Sequence, residues 1–248
     1  MNSPKNIDTL KNLSGGLLDD ALKEIRSGRK KSSKSMDEHF FTAEYLILEA
    51  KEYVDGAWEM LVSEKCDASI ALSRWVLEAS MNLLWVVADR DKIEQRLRDL
   101  VGEALRCEAI LLEDSAKLWQ DDAQAFMKKA NKARETRKSL GAEKLDNLYS
   151  RIDDIKQINK PNWPQLYALY RICCAAAHPG LKVWERYVNV GGETVSKDPN
   201  DRSRVACWMA AASTLYLVTN TYCLTGLGDA QHLKDWWKNQ IVPLLNDD

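Results

Sequence analysis

Turn-forming residues are scarce in this chain. Eleven glycines and six prolines make about 7% of its 248 residues, against about 12% in average usage. That shortage disfavours a sandwich or barrel built on many tight turns and points to long helices. Histidine is scarcer still. His39, His178 and His232 are the only three, so a multi-histidine metal centre or a two-histidine acid–base pair has few places to sit. The six cysteines, Cys66, Cys107, Cys173, Cys174, Cys207 and Cys223, include no CxxC spacing. They offer no zinc framework and, most of them lying within apolar helical patterns, are expected to be reduced, buried thiols. Neither a metal nor another cofactor is expected. No charge sign dominates: 35 Lys and Arg face 37 Asp and Glu, a net charge of −2. That balance disfavours a globally basic nucleic-acid binder and an acidic disordered tail. The stretch Met1 to Leu10 has no apolar core of an export leader, and a cytoplasmic location is expected.

One long segment lacks charge. From Val205 to Gly228 no Asp, Glu, Lys or Arg occurs, and the length is enough to span a bilayer. The same segment holds Ser213, Thr214, Thr219, Asn220, Thr221 and Thr225. That polar content favours a helix enclosed by other helices over a membrane span, so no membrane is expected as a partner.

What is present is helical periodicity and apolar bulk: 45% hydrophobic residues and nine Trp, sufficient for a substantial core. Ile7 to Arg26 has apolar residues at helical spacing, with Ser14-Gly15-Gly16 expected to interrupt it. Gly28 to Ser35 reads as a basic linker, so residues 1–35 are expected to form an N-terminal helical arm. The main domain, 36–248, opens with a long amphipathic helix over Asp37 to Ser63. A short turn at Cys66-Asp67, with Asp67 as N-cap, leads to an apolar helix over Ala68 to Ala88 packed antiparallel to it. Residues of about 91–160 read as an inserted, charge-rich helical layer, with helices over Asp91–Glu113, Gln120–Leu140 and Lys144–Ile158. Pro161-Asn162-Trp163-Pro164 starts a further helix that Pro179-Gly180 stops at His178. Val183–Val190 and Glu193–Ser196, flanking Gly191-Gly192, form a candidate hairpin. The expected fold class is all-α, a four-to-five-helix bundle with an N-terminal arm and an inserted helical layer.

The helix before His178 carries the candidate chemistry. Arg171 and His178 are seven residues apart, which is about 20° short of two full turns, so they share a face about 10.5 Å apart along the axis. Tyr167 and Cys174 fall on the same face. Arg is a permanent cation suited to phosphate, and His exchanges protons near neutral pH. Together they can cleave RNA without a metal: His178 as acid or base, Arg171 stabilising the phosphorane charge. A plainer reading stands beside it, in which His178 caps the last carbonyls of its helix and Arg171 pairs with an acid such as Glu78. On the apolar helix, Arg74 and Glu78 are four apart and share a face. Glu78 can accept from Arg74 or Arg171 and pin helices together, or orient Arg171 or His178 in a composite site.

The Arg171-(six residues)-His178 spacing resembles the HEPN superfamily of helical bundles. More narrowly, Tyr170-Arg171-Ile172-Cys173-Cys174 leading to Ala177-His178-Pro179, with Arg74-Trp-Val-Leu-Glu78 earlier, is similar to a group of bacterial helical proteins. That group pairs an Arg-x-x-x-Glu helix with a later Tyr…His-Pro helix. The resemblance covers roughly Asp37 to Gly226. It implies a HEPN-like bundle and a metal-independent endoribonuclease or RNA-binding protein of toxin or antiphage-defence type. It also implies a homodimer with its site across the two-fold axis, and an antitoxin-type protein partner. On that reading His178, Arg171 and Glu78 are catalytic, and Arg74, Tyr167 and Tyr170 bind substrate. Departing from active members, the residue after Arg171 is the apolar Ile172, where a polar residue is common. The other reading is a non-catalytic interaction or nucleotide-sensing module in which the Arg/Glu/His set is structural.

Local charge adds one clue. Lys128, Lys129, Lys132, Arg134, Arg137 and Lys138 put six cations in eleven residues, against the single acid Glu135. Lys128 and Lys132 are candidate contacts to an RNA backbone. Arg26, Arg29, Lys30, Lys31 and Lys34 form a second cluster. Either run also reads as a solvated face. Trp236-Trp237 is a candidate stacking platform or, alternatively, core filling.

Overall fold

The structure is a computed structural model that describes residues 6–33, 36–148, 150–151, 170–171, 173–174, 199–227 and 231–246. Every regular element among the described residues is helical. The all-α class follows from long runs of 3.6-residue periodicity that few glycines or prolines interrupt. The chain divides into two compact units, one formed by Met1–Leu83 and Pro161–Asp248, the other by Leu84–Lys160.

In the first unit, α1 (Ile7–Arg29) and α2 (Asp37–Val62) lie antiparallel. Both carry a 3-4 alternation of buried residues. On α1 it runs Ile7, Leu10, Ser14, Leu17, Ala21, and on α2 Phe40, Ala43, Ile47, Ala50, Val54, Ala57, Leu61. That spacing is the seam of coiled-coil-like packing, and the alanines and Ser14 let the backbones approach. A ladder of ion pairs flanks the seam: Lys11–Glu59, Asp19–Lys51 and Arg26–Glu44, the last at 2.7 Å. Successive rungs step forward along α1 while stepping back equally along α2, which marks one antiparallel register. Exposed pairs of this kind stabilise by at most about 1 kcal/mol each, so they select the register more than they hold it.

One expectation for this region changes. Ser14-Gly15-Gly16 does not interrupt α1, which is continuous from Ile7 to Arg29. Tertiary burial of Leu10, Leu17, Leu18, Ala21 and Ile25 outweighs a glycine cost of about 1 kcal/mol each. Helix α1 packs on α2 and on the later helix α6 (Pro199–Thr225) within one unit.

The turn after α2 is a Schellman motif. Lys65 N–H donates to Met60 O (2.7 Å) and Glu64 N–H to Leu61 O (3.0 Å), with Glu64 at φ 58°. It feeds α3 (Cys66–Ala88), so Asp67 lies in the first turn rather than at the cap. Tyr53 of α2 stacks on Trp75 of α3 at 4.6 Å and 3°. One turn away, a Cβ on Gly56 would sit 3.3 Å from Leu72. Both contacts fit one antiparallel α2–α3 register.

Helix α6 is the charge-poor segment of the sequence. It buries Ala206, Met209, Ala212, Leu217, Val218 and Leu224. Its hydroxyls are satisfied within the helix: Thr214 donates to Ala210 O, Thr221 to Val218 O and Thr225 to Thr221 O. By length and composition, α3 is the described helix able to cross a membrane, and 56% of its most apolar window is buried in the protein. The chain closes through α7 (Gln231–Trp236), a π-helical turn over Trp237–Ile241 and α8 (Val242–Asn246). Trp236 is buried, and Trp237 meets Trp208 edge-on at 6.1 Å, so this tryptophan pair packs within the unit.

In the second unit, α4 (Ile93–Leu118) and α5 (Ala123–Ser139) form an antiparallel hairpin. Its core is Ala109, Ala130 and Ala133, bordered by Leu105 and Leu112. Asp99 accepts from Gln95 Nε2 and from Glu143 N–H, both at 2.8 Å, and so ties the segment after α5 back to α4. That segment, 142–147, is not helical, where a helix was expected from Lys144. Helical residues begin at Leu148, because Asn147 Oδ1 accepts from Ser150 N–H (2.9 Å) as an N-cap. The buried Arg96 and Arg151 guanidiniums both lie over the Trp85 ring, at 4.6 and 6.0 Å. The expected breaks at Pro161–Pro164 and Pro179-Gly180, and the hairpin around Gly191-Gly192, fall outside the described residues.

Candidate functional site

Helix α3 presents Arg74 and Glu78 one turn apart, and their head groups reach toward each other at 4.0 Å. Tyr170, in helical backbone, inserts its phenol between them. Arg74 Nη2 donates to the Tyr170 oxygen (3.3 Å), and the Tyr170 hydroxyl donates to Glu78 Oε2 (3.5 Å). The Arg74 guanidinium also lies over the Tyr170 ring, 5.5 Å from its centroid. The phenol is the one group here that can accept from a cation and donate to an anion at the same oxygen. It therefore bridges two charges that alone sit at the limit of an ion pair.

The electrostatics follow the same pattern. The hydrogen bond to Tyr170 raises the Arg74 pKa, against the opposing effect of burial. Burial holds the Tyr170 phenol above its usual range, the bond from Arg74 works the other way, and Glu78 and Cys174 add to the rise. At neutral pH Arg74 is thus a guanidinium and Tyr170 a neutral phenol. Arg74 and Glu78 keep 31% and 41% of their side chains exposed, so the set lies at the surface. Glu78 thus takes Arg74 and Tyr170 as partners among the described residues, and Arg171 is not one of them.

Arg171 is helical, exposed and makes no ion pair with a described residue. Its neighbour Tyr170 is held to α3, so the backbone that carries Arg171 is anchored while its side chain stays open to solvent. Cys173 is fully buried, and burial pushes its thiol up to about 12. Cys174 is half-buried beside Tyr170. The structure therefore brings together Arg74, Glu78 and Tyr170, and sets Arg171 next in chain. His178 and Tyr167 lie outside the described residues.

Lys128 and Lys132 are exposed on α5, one turn apart. Of the six cations in that run, Arg134 is paired with Glu113 of α4. In the other basic cluster, Arg26 and Arg29 share Glu44, at 2.7 and 3.2 Å. Sequence reasoning passed over Trp119 in the α4–α5 turn, which is 58% exposed next to Leu118 at 74%. The available signal was an apolar pair immediately before the polar Gln120-Asp121-Asp122.

No family model matches this chain, and neither a curated protein nor a solved structure does.

Proposed function

We propose that the chain is a metal-independent endoribonuclease or RNA-binding protein of the toxin or antiphage-defence type, on a HEPN-like bundle. The observation that carries this reading is the exposed Arg171 guanidinium, next to a residue anchored on α3 by both Arg74 and Glu78. An anchored backbone with a free cation suits a phosphate clamp, because positioning and charge are what phosphoryl transfer asks of a protein. In this reading His178 moves the proton and Arg171 stabilises the phosphorane. Arg74, Glu78 and Tyr170 orient the helix that bears both. A cytoplasmic homodimer with an antitoxin-type partner completes the proposal.

A second reading has its own observation. Arg74, Tyr170 and Glu78 satisfy one another, which suits a helix clamp in a non-catalytic interaction module.

The test is cleavage of single-stranded RNA in EDTA by the wild type, Arg171→Ala and His178→Ala, each checked for folding by circular dichroism. The nuclease reading expects a loss of at least about a hundredfold in both folded variants. Equal cleavage by all three removes Arg171 and His178 from the mechanism, and none by the wild type leaves the clamp reading.

A further inference from the structure

The outward face of α5 is basic. Lys128, Lys129 and Lys132 are all exposed and in no ion pair with a described residue. Lys128 and Lys132 are one turn apart, about 6 Å along the axis, and Lys129 and Lys132 are neighbours at i, i+3. Along the same stripe stand Gln124, Asn131, Glu135 and Ser139, with Lys138 and the 39%-exposed Met127 at its edge. One carboxylate against these ammoniums leaves the face cationic, and Met127 is the one large apolar side chain exposed on α5. At the head of this face stands Trp119. One side of its ring meets Phe126 at 6.3 Å and 42°, and the residue remains 58% exposed. Lys129 is three residues beyond Phe126, on a neighbouring stripe of the helix.

We infer that the α4–α5 hairpin is a single-stranded nucleic-acid binding surface, with Lys128, Lys129 and Lys132 on consecutive phosphates and Trp119 stacked on a base. The spacing of the lysines fits a phosphodiester repeat, and an exposed aromatic ring beside a cationic track is the equipment for sequence-tolerant binding of single strands. Asp121 and Asp122 adjoin Trp119 and repel phosphate there, so the ring suits the uncharged face of a base and not the charged headgroups of an anionic membrane. That the strand is RNA rests on the reading above; the surface itself recognises phosphate and base and accepts DNA as well.

The test is fluorescence anisotropy of labelled oligouridylate and oligothymidylate, roughly twelve nucleotides long, titrated in EDTA over a range of salt. Three phosphate contacts predict a slope of log K against log salt of about −2. Lys128→Gln/Lys129→Gln/Lys132→Gln is expected to bind at least about tenfold more weakly, with the slope reduced toward zero. Trp119→Ala is expected to weaken binding about tenfold with the slope unchanged, and Trp119→Phe to restore most of it. Wild-type affinity and slope in the triple variant overturn the inference. So does binding to phosphatidylserine vesicles with none to either oligonucleotide. Binding without cleavage leaves this surface standing and removes the nuclease reading. Cleavage and binding that ignore the lysines and Trp119 do the reverse.

Discussion

Asn220 of α6 donates its side-chain amide to both the carbonyl (2.8 Å) and the hydroxyl (3.1 Å) of Ser80 on α3. Both residues are buried, and 140 positions separate them. A buried amide must be satisfied, so this contact fixes how the two apolar helices rotate and slide against each other. Asn220→Ala is expected to destabilise by about 1–3 kcal/mol, from the lost bonds and the Ser80 hydroxyl left unsatisfied. Urea denaturation of the wild type and variant measures it, and an unchanged midpoint would show that the helices find their register without Asn220.

Two glycines of α1 are expected to respond in opposite directions. Gly16 is exposed, and a Cβ built there meets nothing within 4 Å. Gly16→Ala is therefore expected to stabilise by about 0.5–1 kcal/mol through helix propensity alone. A Cβ on Gly28 would lie 2.7 Å from Phe40 Cε1 and 2.9 Å from Leu227 Cδ2. Gly28→Ala is expected to lower stability despite the same propensity gain, as thermal unfolding of the two variants would report.

Glu64 holds the left-handed position of the Schellman turn, at φ 58°. An L-residue there costs roughly 1–2 kcal/mol that glycine does not. Glu64→Gly is expected to recover about 1 kcal/mol in chemical denaturation, provided the turn keeps its two hydrogen bonds.

The thiols separate by burial. Burial pushes Cys173 and Cys207 up to about 12, with Cys66 adding to the rise at Cys207. Cys107 and Cys223 are exposed, against the expectation of buried thiols, because each falls on the outward side of its helix. Alkylation of the native protein near pH 8, followed by mass mapping, is expected to label Cys107 and Cys223 first, and Cys173 and Cys207 only on unfolding. Rapid labelling of Cys173 in the native state would contradict its burial.

Alkaline stability depends on buried phenols. Burial raises the pKa values of Tyr170, Tyr216 and Tyr222, and at Tyr222 the carboxylates of Glu24 and Asp20 add to it. In the unfolded chain these phenols ionise near pH 10, while the folded protein keeps their protons. The stabilisation is thus complete below pH 10 and is lost as pH rises from there through the folded values. Tyr222→Phe is expected to flatten the fall in unfolding free energy above about pH 10. A wild-type stability independent of pH in that range would refute the assignment.

The helical class was legible in composition and periodicity, because those are local properties that repeat every few residues. The α2 seam from Phe40 to Leu61 and the basic run of α5 could be read directly. The share-a-face relation of Arg74 and Glu78 could be read as well, since four residues is one turn whatever surrounds it. Three outcomes lay beyond local pattern. The helix α1 runs through Gly15-Gly16 because its apolar stripe is buried against α2 and α6, an energy that no window of α1 contains. The helix after Gly141 starts at Leu148 because Asp99, 44 residues earlier, holds Glu143 N–H, and Asn147 then caps. Glu78 meets Tyr170, 92 residues on, and leaves Arg171 to solvent. Residue type and spacing made several partners available to Glu78. Only the packing register of α3 against the Tyr170 segment chose between them, because a hydrogen bond needs its two atoms within about 3.5 Å and periodicity along one chain segment places nothing across space.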